Sequence, residues 1–75
     1  MTKKERMRFV RAEMVRAGVS NADIAREEQV STVYVYYVLA GKRQGYRIRL
    51  AIAKKVGKPV EALWPDTPVK DRRAA

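Results

Sequence analysis

Four glycines and three small hydroxylated residues cut this chain into helical segments too short to stand alone, so they must pack on one another. Thr2 and Glu5 form a T-x-x-E capping box, a helix-start signature. Met7, Val10 and Met14 follow at helical spacing, and Gly18 suits the left-handed stop after a helix end. The first helix is expected over about residues 3–17. Ser20, with Asp23 three residues on, opens a second helix that ends near Glu28. Ser31 caps a third, which carries Val35, Val38 and Leu39 at apolar spacing and closes at Gly41. Residues 42–45 read as a loop. A fourth helix is expected from Tyr46 to Val56, stopped by Gly57, and Pro59 suits the first position of a short fifth through Leu63. No strand pattern or internal repeat competes. The fold class is all-α, a compact domain of four to five helices over residues 1–65. From Asp66 the chain turns polar, passes Pro68 and ends basic at Lys70, Arg72 and Arg73, which reads as a disordered basic tail over residues 66–75.

At 75 residues, one domain is the expectation. Such a chain buries only about 60% of the surface that its unfolded form exposes. It has no cysteine and no histidine. Disulfides and thiolate metal sites are excluded, and the usual neutral-pH proton shuttle is missing. No catalytic residue, metal site, cofactor or small-molecule ligand is inferred, and an enzyme is not expected. Seventeen basic residues against eight acidic give a net charge of +9, a field that attracts polyanions. No apolar run approaches the roughly 20 residues of a membrane span, and the charged start from Met1 to Arg8 argues against a secretory signal. A cytoplasmic, nucleoid-associated protein is expected.

The segment from Ser20 to Gly41 places two short helices either side of a tight turn, the layout of a helix-turn-helix. Ala25 is small where the third helix crosses closely. Ile24, Val30, Val35 and Val38 form the apolar wedge that fixes the crossing, and Ser31 satisfies backbone donors at the start of the third helix.

These residues carry a resemblance to a known family. Ile24-Ala25, Val30-Ser31, Val35, Val38-Leu39 and Gly41-Lys42-Arg43 resemble the helix-turn-helix of the lambda-repressor-like DNA-binding proteins. Gly45-Tyr46-Arg47 through Ile52-Ala53, Val56-Gly57, Pro59 and Leu63-Trp64-Pro65 look like the small phage-type regulators of the Ner-like group. The resemblance covers most of residues 10–65. It implies a lambda-repressor-like domain and a regulator of transcription, a repressor by promoter occlusion. One departure stands out. Gln29 occupies the inter-helix turn where the family often has glycine, and a left-handed backbone costs a non-glycine residue about 1–2 kcal/mol. The turn is therefore expected to differ slightly.

At about 100° per residue, Val35, Val38 and Leu39 share one side of the third helix while Val33 and Tyr37 point away from it. No residue from Gln29 to Gly41 is charged. A small core cannot take both Val35 and Tyr37, so one face needs an outside partner. Thr32 and Val33 offer methyl groups for thymine methyls in the major groove, and Tyr36 and Tyr37 offer hydroxyls. The resemblance puts base-facing positions at Thr32, Val33 and Tyr37. It also implies backbone phosphate contacts at Asn21, on the positive end of the second helix, and at Lys42, Arg43, Tyr46 and Arg47 in and after the loop. Tyr34, at the edge of the third helix, joins that phosphate set. Seven basic residues and no acidic ones lie between Gly41 and Lys58; the basic cluster from Lys3 to Arg11 carries a weaker case.

One recognition helix reads only a few base pairs, so a homodimer, at least on DNA, is expected. On the fourth helix Tyr46, Leu50 and Ala53 share one face and Ile48, Ile52 and Val56 another, separated by Arg49. One face should be core and the other is a candidate dimer patch, the alternative being that both pack inward around a crowded core; the sequence does not assign them. Trp64 reads as a core anchor. Two other classes fit the same residues. One is a protein-interaction module, an antitoxin- or adaptor-like helix-turn-helix with a tyrosine face for a protein. The other is a basic RNA-binding protein that stacks bases on Tyr34, Tyr36 and Tyr37.

Overall fold

The computed structural model describes residues 2–65, so the basic tail expected over 66–75 lies outside the described residues. Five helices follow the punctuation of the sequence: α1 (Lys3–Ala17), α2 (Asn21–Glu28), α3 (Thr32–Leu39), α4 (Tyr46–Val56) and α5 (Val60–Leu63). Among the described residues there is no strand.

The caps form as their chemistry requires. The Glu5 backbone N–H donates to Thr2 Oγ1 at 3.1 Å, and the Thr2 N–H donates to Glu5 Oε1 at 2.8 Å. Ser20 and Asp23 repeat the exchange at 3.1 and 3.0 Å. Each box satisfies two backbone donors that a helix start would otherwise leave open. At α3 the Tyr34 N–H donates to Ser31 Oγ at 3.0 Å. Gly41, with φ of 79°, reverses the chain after α3, and the Lys42 N–H returns to the Tyr37 carbonyl at 2.9 Å. Pro59 sits one position before α5, as its cap.

The core is built from one side of every helix. Val10 and Met14 of α1, Ile24 and Ala25 of α2, and Val35, Val38 and Leu39 of α3 share one apolar cluster, with α3 and α4 each packed against both α1 and α2. Trp64 is buried at the far end, with the Arg49 guanidinium 5.3 Å from its ring. That cation–π contact is one of the interactions of a charged residue that sits at 5% exposure between the apolar positions of α4.

The two faces of α4 are thereby assigned. Ile48 and Ile52 are buried, Val56 packs against them half-buried, and Ala53 joins their side. Leu50 is exposed and Tyr46 half-buried, so little of the other apolar face remains open. Two ion pairs fix α2 against α4. Arg47 Nε lies 3.0 Å from Glu28 Oε1, its Nη2 donates to the Glu28 carbonyl at 2.6 Å, and Lys55 Nζ lies 2.9 Å from Glu27 Oε2. No helix among the described residues is long and apolar enough to cross a membrane.

Candidate nucleic-acid interface

The turn between α2 and α3 sets the pose of α3. Gln29 takes the left-handed conformation that a glycine would take, with φ 59° and ψ 44°. It is the one non-glycine residue with positive φ among those described. Its N–H bonds to the Ala25 carbonyl, and so does the N–H of Val30, at 3.0 Å. The half-buried Val30 then packs on the core and ties the turn down.

With the turn fixed, α3 points one side inward and leaves the other open. Val35, Val38 and Leu39 are at most 1% exposed, whereas Val33 is 55%, Tyr36 44% and Tyr37 37% exposed. Thr32 is exposed beside them at the helix start. The Tyr36 and Tyr37 rings lie 6.1 Å apart and tilted by 54°, within the range of favourable ring pairs. The open side of α3 carries methyl groups and phenols and no charge.

The residues expected to touch a phosphate backbone fall into separate places. Arg43 lines a groove with Ser31, Val33, Tyr34 and Tyr37, directly beside the open face. Lys42 is exposed on the same loop, with Nζ 6.0 Å from the Tyr37 ring centroid. Tyr34, Tyr46 and Arg47 gather around Gly45 in an adjoining groove. Gly45 makes that groove possible. Its φ is 44°, and a Cβ there would collide with Val38 Cγ2 and lie 3.2 Å from the Tyr34 hydroxyl oxygen. Tyr34 is half-buried against the core and so presents less surface than its neighbours on α3. Arg47 reaches the end of α2 through Nε and Nη2, and its side chain is 69% exposed. The third place lies at the start of α2, where Asn21 and Thr32 share a groove with Arg11.

Electrostatics at the start of α2 are mixed. The Ser20 backbone N–H, then the Arg26 guanidinium at 2.8 Å, hold the Asp23 carboxyl below its ordinary range, so it stays ionised near Asn21. Of the seven cations between Gly41 and Lys58, Arg47 and Lys55 pair with α2 and Arg49 is buried over Trp64. The loop cations Lys42 and Arg43 border the open face of α3. Arg11, which the sequence ranked low, also borders it, at the Thr32 end. Its place seven residues after Lys4 and three after Arg8 is the signal that could have found it: these three share one stripe of α1. Among the described residues no group of acidic, histidine or cysteine side chains could hold a metal ion. No family model matches the chain, and no curated protein or solved structure matches it either.

Proposed function

We propose that this protein binds duplex DNA sequence-specifically and regulates transcription, acting as a repressor by occupying a promoter. In this reading α3 enters the major groove. Thr32, Val33, Tyr36 and Tyr37 meet base edges, while Asn21, Tyr34, Lys42, Arg43, Tyr46 and Arg47 engage phosphates. The observation that carries the reading is the exposed, uncharged side of α3 with cations on the loop beside it. An uncharged surface of methyls and hydroxyls suits the mixed apolar and hydrogen-bonding pattern of base edges. Flanking cations supply the sequence-independent grip on the backbone. The resemblance to lambda-repressor-like regulators over residues 10–65 points the same way. An eight-residue helix is about 12 Å long and reaches few base pairs, so the proposal includes a homodimer on DNA, with half-sites about one turn apart. A protein of this kind would reside with the nucleoid.

The test is selection from a random duplex pool, followed by gel shifts of the enriched sequence against scrambled duplex and single-stranded RNA. A recurrent motif containing thymines, bound more tightly than scrambled duplex and RNA, is expected. Equal affinity for every duplex would contradict sequence reading, and preference for single-stranded RNA would favour base stacking on the tyrosines instead.

A further inference from the structure

The open face of α3 has two long edges, and the loop cations occupy only one. The other edge is a groove between α1 and α3 in which Tyr36 and Ala40 face Lys3, Lys4, Arg8 and Arg11. All four basic residues are exposed. Lys4, Arg8 and Arg11 recur at helical spacing on α1, a row about 10 Å long at 1.5 Å per residue. Lys3 lies against the end of α3: a Cβ added at Gly41 would meet its Cδ at 2.9 Å. Its stem therefore bridges the start of α1 to the loop that carries Lys42 and Arg43. The acidic residues on α1 are engaged elsewhere, Glu5 with the Thr2 cap and Glu13 with Arg16.

We propose that Lys4, Arg8 and Arg11 form a second phosphate-binding rail, which grips the DNA strand across the groove from the one held by Lys42 and Arg43. The inference rests on the DNA-binding reading of α3. The chemistry required is a row of anions beside the tyrosine face. Each strand of a duplex offers one phosphate per about 3.4 Å of helix axis but winds round that axis, so a row about 10 Å long with flexible side chains reaches about two to three. Cations on both edges place α3 between two strands, which fixes its depth as well as its register. Arg11 extends the rail to the Thr32 end, where it shares a groove with Asn21. The rail reads no sequence, since phosphates carry none directly.

The test measures binding of the full chain to the selected duplex and to a scrambled duplex across a salt series. The variants are the triple Lys4→Gln, Arg8→Gln, Arg11→Gln; a charge-keeping triple Lys4→Arg, Arg8→Lys, Arg11→Lys; and Lys54→Gln on α4 as a control. Far-UV circular dichroism verifies the helical content of each. The glutamine triple should flatten the salt slope by about 2–3 units and weaken both duplexes on the order of 100-fold near 0.1 M salt. The charge-keeping triple and Lys54→Gln should stay close to wild type. A glutamine triple with the wild-type slope, or a Lys54→Gln variant that flattens it equally, overturns the rail and leaves the α3 reading standing. A wild-type chain that binds neither duplex overturns both. Loss of affinity for the selected duplex alone would move these residues from backbone to base contact and also overturn the rail.

Discussion

Two side chains on either side of a single serine carry opposite duties. Gln29 is held in a left-handed conformation that costs a non-glycine residue about 1–2 kcal/mol, offset in part because glycine loses more entropy on folding by about 0.5–1 kcal/mol. Gln29→Gly should therefore raise stability by about 0.5 kcal/mol in urea unfolding, with DNA affinity kept. Gln29→Val, which brings a β-branched side chain to the same backbone, should lower stability by at least 1 kcal/mol. A valine variant as stable as wild type would contradict the strain. Val33 makes no demand on the fold, since it is 55% exposed. Val33→Asn should leave stability within about 0.5 kcal/mol. It should change preference at one base pair by about 1–3 kcal/mol, read by repeating the pool selection. An unchanged motif would remove Val33 from the base-contacting set.

The helices are where the sequence was most informative. Thr2, Ser20, Ser31, Gly18 and Gly57 each act within a few residues of themselves, so local chemistry alone placed the ends of four helices. The same locality let the inner and outer sides of α3 be told apart. What was not legible came from contacts distant in sequence. Arg47 meets Glu28 nineteen residues away, and Lys55 meets Glu27 from further off. No periodicity distinguishes those cations from Lys42 and Arg43. Arg49 could be read only as a divider between two faces of α4, because the Trp64 ring that it lies against comes from beyond α5. The groove between α1 and α3 was hidden for the same reason. The caps carry a pH dependence of their own. Hydrogen bonds from the Thr2 and Ser20 backbone N–H groups hold Glu5 and Asp23 below their ordinary ranges. A carboxyl whose pKa is lowered by folding stabilises above its unfolded pKa and loses that contribution as pH falls through the folded one. The melting temperature should drop as pH falls below about 4. Asp23→Asn should show a smaller drop; an equal one would mean that the α2 cap is indifferent to ionisation.

Taken as one body, the protein divides its charge between holding itself together and reaching outward. Lys55 holds α2 on α4, while Arg47 does both, pairing with Glu28 from a side chain that is 69% exposed; surface pairs of that kind contribute at most about 1 kcal/mol each. Lys42 and Arg43 stand by the face of α3, so Lys42→Gln or Arg43→Gln should each flatten the salt slope of DNA binding by about one unit and weaken all duplexes alike. The open apolar area on α4 has shrunk to Leu50 with part of Tyr46, which leaves that helix only a small patch for the proposed pairing of two copies. The central claim is that the outward side of α3 meets the bases. The most direct measurement is an NMR titration of the labelled protein with the selected duplex, following backbone amides and the tyrosine rings. The largest shifts are expected at Thr32, Val33, Tyr36 and Tyr37, with smaller ones at Lys42 and Arg43 and little change around Leu63 and Trp64. Perturbations concentrated on α4 and α5, with α3 silent, would contradict the account.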